Sequence, residues 1–176
     1  MTQLLPSSRA MVLVVCLAAG GAEAVPPAFG HELLDRVLLS SVDAEGRIDY
    51  AGLKADRLEL DQYIDSLAAV SPVSHPARFP TPAHALAYWI NAYNAFVLRG
   101  VVDAYPVSSV KDISLLNGFF RRLRFVAGGS EMTLDHIEND IIRPTYRDPR
   151  IHFVVNCGAV SCPPPGATGP PRCRPR

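Results

Sequence analysis

Apolar and polar residues alternate with helical spacing through much of the first half of the chain. The segment 31–42, HELLDRVLLSSV, places its apolar residues on one face of a helix. From about 51 to 70, apolar residues again recur every three or four positions with charged residues between them. Because 43–46 (Asp-Ala-Glu-Gly) is a helix breaker, the pattern predicts two amphipathic helices.

The longest apolar run follows four prolines between residues 71 and 82. Thr81 has the N-cap position and Pro82 the first helical position of AHALAYWINAYNAFVLRGVVDAY, and Pro106 ends the run. The run is apolar nearly all round, which is typical of a buried helix. It does not suit a membrane span, because its histidine, asparagines and arginine would each be costly in hydrocarbon.

The second half predicts short strands and one further helix. RLRFVA (122–127) and residues 131–133 flank a Gly-Gly-Ser turn, as in a hairpin. Thr133 can cap the helix LDHIENDII, and IHFVV (151–155) has the pattern of a central strand. We expect an α+β fold with a mostly helical N-terminal half. Its buried central helix would pack on a small sheet with strands near 122–127, 131–133 and 151–155.

The first residues have the pattern of a secretory signal peptide. Arg9 gives the chain a weakly basic start, and residues 11–20, MVLVVCLAAG, which follow it, are uncharged. Small residues stand at −3 and −1 of a cleavage site before Val25. We therefore expect a signal peptide over 1–24 and export to the periplasm or beyond the cell. The apolar core of the signal is too short to span a bilayer, and we expect no stable membrane span after the signal is removed.

The last residues lose all apolar periodicity. From Pro163 onward, six of fourteen residues are proline and three are arginine, a composition typical of disorder. We expect a Pro/Arg-rich disordered tail over 165–176. The abrupt change predicts a truncated or frame-shifted form of a longer protein.

Length and charge exclude some classes of function. The 176 residues suit one domain, and 17 basic residues balance 17 acidic ones. A neutral chain without a basic stripe argues against nucleic-acid binding. We expect a linker and helix over 25–44, followed by a domain over 45–164.

One histidine and two cysteines lie close together in HFVVNCGAVSCPPP, residues 152–165. Thiols of exported proteins tend to be oxidised, which favours a disulfide between Cys157 and Cys162. A metal site is a second alternative, with His136 as a further ligand. Since the His-x4-Cys-x4-Cys spacing is not a standard zinc spacing, we expect no metal and no cofactor.

A thiol nucleophile is the third alternative for the same stretch. Such a site needs a thiolate, a base and an oxyanion donor. Cys157 or Cys162 could attack, His152 or His136 could act as the base, and Asn156 could orient the base or bind the oxyanion. The predicted reaction is acyl transfer, such as hydrolysis of a peptide or amide.

Polar residues on two helices could complete this site. Asn91 and Asn94 lie three apart on the predicted buried helix, with Tyr88 one turn before them, and buried amides must be hydrogen-bonded. They either bind substrate, the role we predict for all three residues, or hold neighbouring loop backbone. His136 and Asp140 are one helical turn apart, which suits a base, a metal ligand or a solvated helix face.

Several stretches together resemble the family called domain of unknown function 547. They are Asp49-Tyr50, AYWINAYNAFVLRGVVDAYPVSSVKDI (87–113), MTLDHIENDIIRP (132–144) and DPRIHFVVNCGAVSCPP (148–164). The blocks WINAYNA, LDHIEN and HFVVNCGAVSCPP carry the resemblance. The resemblance implies a domain whose bacterial members are often exported, and it implies no particular enzymatic activity.

The resemblance also implies that the domain is incomplete at its C-terminal end. Family members continue past the SCPP motif with an apolar residue and helical sequence, whereas this chain has Pro165 and the Pro/Arg tail. We expect an exported cysteine-dependent hydrolase or transferase with a small-molecule or peptide partner. The alternative is a non-catalytic binding or scaffold module with a structural disulfide.

Overall fold

A computed structural model describes residues 26–114, 118–149, 151, 154 and 155. Its helices, in chain order, are α1 (Glu32–Ser41), α2 (Tyr50–Ala55), α3 (Leu58–Ala69), a 3-10 helical turn (Pro76–Arg78), α4 (Pro82–Ala104), α5 (Val110–Ile113), α6 (Gly118–Arg121), α7 (Leu134–His136), a π-helical segment (Ile137–Ile142) and α8 (Arg143–Tyr146). Two strands, β1 (Phe125–Ala127) and β2 (Ser130–Met132), form an antiparallel sheet. The described part is therefore mostly helical with a small sheet.

The central helix α4 begins where the sequence predicts. The Thr81 hydroxyl accepts a hydrogen bond from the His84 N–H, and Pro82 occupies the first turn, where a missing N–H costs nothing. From Ala87 to Leu98 every residue of α4 is buried. Helices α2 and α3 pack against α4, as do α7 and the π-helical segment. Within the described ranges, no helix is both long and apolar enough to cross a membrane.

The single helix predicted over 51–70 is two helices in the structure. The Asp49 carboxylate accepts a hydrogen bond from the Gly52 N–H at 2.9 Å and starts α2, which ends at Ala55. Asp56 leaves the helical conformation, and α3 begins at Leu58. Leu53 of α2 and Leu60 of α3 are both buried.

The predicted hairpin is present, and its turn is attached to α3. Gly128 and Gly129 both have positive φ, 56° and 82°, as a two-residue hairpin turn between right-twisted strands requires. Their N–H groups donate to the carbonyls of Leu67 and Ala68, each at 2.8 Å. Two C-terminal carbonyls of α3 thus gain partners that the helix cannot supply.

The prediction of a third strand over 151–155 is wrong at the residues that the structure describes. The Ile151 N–H donates to the backbone carbonyl of Asp148. The N–H groups of Val154 and Val155 both donate to the Ile151 carbonyl, at 3.1 and 3.3 Å. These are turn and helical-turn hydrogen bonds. Ile151 and Val155 are nonetheless buried, 3% and 8% exposed. A short apolar run fits a buried turn as well as a strand, so periodicity cannot separate the two.

Four charged side chains join α3 to α4 in a closed ring. Arg57 and Arg99 each pair with both Asp61 and Asp103, at 2.8 to 2.9 Å. The side chains are 29 to 48% exposed, so solvent screens each pair and its contribution to stability is modest. The ring fixes the positions of Arg99 and Asp103.

Candidate functional site

Two asparagines give the buried central helix a polar face. Asn91 is fully buried and Asn94 is 2% exposed, and their spacing of three places them on one side of α4. Asn94 Nδ2 donates a hydrogen bond to the Val154 carbonyl oxygen at 2.9 Å. Asn94 thereby holds on α4 the backbone that comes two residues before Asn156 and three before Cys157 in sequence.

For Asn94, this contact matches one of the two alternatives, that of holding loop backbone. Across the described residues, every buried side-chain nitrogen or oxygen has a hydrogen-bond partner. A role of Asn91 and Asn94 in substrate binding stays a prediction.

Tyr88, the third predicted substrate-binding residue, is buried in an aromatic cluster. Its ring makes edge contacts with Phe29, Phe79 and Trp89, with centroids 5.0 to 5.2 Å apart. Its hydroxyl donates to the Leu67 carbonyl at 3.1 Å, and burial raises the pKa of Tyr88. The hydroxyl therefore supports the junction of α3, α4 and the hairpin.

His136 pairs with Asp140, as their spacing predicts. His136 Nδ1 and Asp140 Oδ2 are 2.9 Å apart, and the Thr133 hydroxyl caps the turn that carries the histidine. The side chains are 48% and 65% exposed. A carboxylate can fix the orientation of an imidazole, which a base needs, but the exposure is that of a solvated helix face.

Glu138 and Arg143 form an ion pair beside α4 that the usual i,i+3 and i,i+4 helix spacing does not predict. Glu138 accepts from Arg143 at 2.6 and 3.2 Å, and its side chain is 21% exposed. Five residues separate them, so α-helical spacing would leave them apart, whereas the π-helical segment between them brings them together. Burial raises the pKa of Tyr93 on α4, and the negative charge of Glu138 raises it further.

The remaining predicted site residues, His152, Asn156, Cys157 and Cys162, lie outside the described residues, and their roles stay predictions. Among the residues that are described, no group of three histidine, cysteine or acidic side chains is placed to hold a metal ion.

Comparison with known families gives one match. Residues 78–170 fit the model of a family described as "Protein of unknown function, DUF547". The match covers just over half of the chain, including α4, the hairpin and the cysteine stretch, and it confirms the resemblance found in the sequence. No curated protein and no solved structure matches the chain.

Proposed function

Because the chain belongs to the DUF547 family, whose description gives no activity, we propose its function from the site. The protein is an exported cysteine-dependent hydrolase or transferase that acts on a peptide or amide, with Cys157 as the nucleophile. The observation that carries this proposal is the hydrogen bond from Asn94 to the Val154 carbonyl.

This hydrogen bond supports catalysis because a reacting group must be held on a rigid support. Asn94 belongs to a helix that is buried for three turns, and Ile151 and Val155 are buried as well. A loop anchored in this way loses little freedom when substrate binds. The segment just before Cys157 therefore has the support that a nucleophile loop needs.

The reaction begins when the Cys157 thiolate adds to the carbonyl carbon of the substrate. The C–N bond then breaks, the amine leaves with a proton from an imidazolium, and a thioester remains on the cysteine. Water completes hydrolysis, or a second amine completes transfer. Asn156 is the proposed oxyanion donor.

His136 and His152 are the two candidates for the base. His136 already has the orienting carboxylate of Asp140 on Nδ1, so Nε2 is the nitrogen that would exchange the proton. Replacing each histidine by Gln in turn separates them. Only the loss of the true base should abolish the thiolate of Cys157 at neutral pH.

A second function, a non-catalytic binding or scaffold module, is favoured by the exposure of the His136–Asp140 pair. In that case Cys157 and Cys162 form a structural disulfide, and the hydrogen bond of Asn94 only stabilises the fold.

Acyl capture on the purified, non-reduced protein tests the two functions. With p-nitrophenyl acetate, the enzyme is expected to release nitrophenolate in a burst while an acetyl group appears on Cys157. Cys157→Ser should abolish the burst, and the matched variant Cys162→Ser should keep it. Intact mass showing Cys157 linked to Cys162, or no acetyl on Cys157, would overturn the enzyme in favour of the module.

Export is tested separately, by expressing the whole chain with its own N-terminus in a Gram-negative bacterium. Cleavage before Val25 and recovery from the periplasm are expected. An uncleaved cytoplasmic product would contradict export without affecting the thiol chemistry.

A further inference from the structure

A groove on the opposite side of the hairpin from β2 has the features of a peptide-binding site. It lies between α3 and β1, with α4 as its floor, and has a volume of about 590 Å³. Phe125 of β1 is partly exposed in the groove and stacks on the fully buried Phe96 of α4, with centroids 4.7 Å apart. Ile64 and Ala68 of α3 form the facing wall. Grooves of this size and apolar character are typical of ligand sites.

The β1 wall offers backbone groups as well as side chains. Ala127 pairs with Ser130 next to the two-residue turn, so Val126 lies at the alternate position, opposite Glu131. In an antiparallel ladder the N–H and C=O of this alternate residue point away from the partner strand. Among the described residues, no turn or loop hydrogen bond uses the Val126 backbone. The edge that faces the groove can thus accept another strand.

Two opposite charges flank the groove. Arg124 lies on the β1 side and Asp65 on the α3 side, and both are exposed. Neither forms an ion pair with another described residue. Arg99 and Asp103 also line the groove, but they neutralise each other within the ring. One cation and one anion therefore stay available to a ligand.

We propose that this groove binds an extended peptide, which adds as a strand to the edge of β1 at Val126. The peptide's apolar side chains lie against Ile64 and Phe125, an acidic side chain meets Arg124 and a basic one meets Asp65. The backbone edge selects a strand over a compact small molecule, because main-chain hydrogen bonds provide affinity in strand addition and pockets provide specificity. This site does not depend on the thiol chemistry, so each proposal can fail alone.

The probe is a fluorescent, end-capped heptapeptide of alternating Val and Thr with one Asp and one Lys near opposite ends. Anisotropy with the purified protein should give saturable binding. A copy N-methylated at alternate residues should bind at least about tenfold more weakly, because it cannot pair with the strand. A copy with both charges replaced by Ser should also be weaker.

A pair of matched variants locates the binding. Ala68→Leu fills the groove from α3 with a good helix former, and should weaken binding at least about tenfold. Ala69→Leu makes the same change at the next residue, which is exposed and does not line this groove, and should leave binding within about twofold. Circular dichroism checks that both variants fold.

Arg124→Asp is a second variant at an exposed position, in case Ala68→Leu does not fold. It should weaken the Asp-containing probe and restore binding of a probe in which Lys replaces that Asp. Absence of binding, equal binding by the N-methylated probe, or equal binding by Ala68→Leu would overturn the proposal. So would a concentration-dependent dimer that Ala68→Leu abolishes, because a second copy of the chain would then be the occupant.

Discussion

Single polar atoms inside the apolar core decide which segments are held together. The Leu67 carbonyl accepts both the Tyr88 hydroxyl and the Gly128 N–H, so α3, α4 and the hairpin meet at one oxygen. In the same way, the hydrogen bond from Asn94 to the Val154 carbonyl holds Val154 on α4. Because leaving a buried polar group unpaired costs more than a hydrogen bond contributes, such contacts select one arrangement over its neighbours.

His31 provides a pH dependence of stability. Its Nδ1 is hydrogen-bonded to the Tyr63 hydroxyl at 2.7 Å, and burial lowers the pKa of His31 from 6.5 to about 4, with Glu32 opposing and His84 adding to the shift. The unfolded chain binds this proton more readily, so stability falls as pH falls from 6.5 towards 4. Between pH 7 and pH 5 we expect a loss of about 2 kcal/mol in the free energy of unfolding.

Urea titrations at the two pH values measure this loss. His31→Gln can still bond to Tyr63 but cannot titrate, so the loss attributed to the histidine should disappear. His75→Gln, at an exposed histidine, should keep it. An unchanged loss in His31→Gln would show that other groups cause the pH dependence.

Asn94→Ala tests the hydrogen bond that carries the proposed function. The change leaves the Val154 carbonyl without its donor and opens a small cavity, so we expect a destabilisation of about 2 kcal/mol. Amide exchange in a peptide containing Val154 should accelerate more than exchange in β1. Asn139→Ala, which removes an exposed amide bonded to Asp135, should change stability by about 0.5 kcal/mol or less. Equal effects of the two substitutions would contradict the anchoring role.

At the scale of elements, the starts of helices and the hairpin turn could be predicted because they depend on a few neighbouring residues. Thr81 and Thr133 cap helices as expected, and paired glycines give the hairpin turn. The break at Asp56 could not be predicted, since the apolar period continues across it. Leu53 and Leu60, on either side of the break, are both buried, so the apolar pattern does not mark it.

The π-helical segment and the turn at 151–155 were unpredictable for a related reason. A π-helix is stabilised by its surroundings, here the pairing of Glu138 with Arg143 next to Tyr93. Ile151 and Val155 are apolar and buried, and burial alone does not choose between a turn and a strand. Both cases depend on tertiary contacts that no local pattern encodes.

The two glycines of the hairpin turn make a matched test of what fixes that element. Gly129→Ala adds a methyl group that meets nothing within 4 Å, so only the positive φ is unfavourable and about 1 kcal/mol should be lost. In Gly128→Ala the new carbon would lie 2.1 Å from Ser71 Oγ, so overpacking adds to the strain and about 3 kcal/mol should be lost. Thermal unfolding of both variants measures the difference. Equal losses would show that the turn is not packed against Ser71.

At the scale of the molecule, one apolar core extends from Phe29 to Val155 on both sides of α4. The sequence could predict that α4 lies at its centre and that Asn91 and Asn94 need partners. It could not name the Val154 carbonyl as one partner, because residues sixty apart are joined only by the fold. Ile151 and Val155, which follow α8, therefore belong to the core and lead in sequence to the proposed site.

Two C-terminal truncations test this view of the core. A chain that ends at Tyr146 loses the buried side chains of Ile151 and Val155 and the partner of Asn94, so we expect a loss of about 4 kcal/mol, much of a typical domain's stability. Deleting only 171–176, which lie beyond the family match and are half arginine, should change the urea midpoint little. If both truncated chains unfold at the same midpoint as the whole chain, Ile151 and Val155 contribute nothing to folding. The hydrogen bond of Asn94 would then be a weak anchor for the residues that lead to Cys157, and the thiol proposal would lose its structural basis.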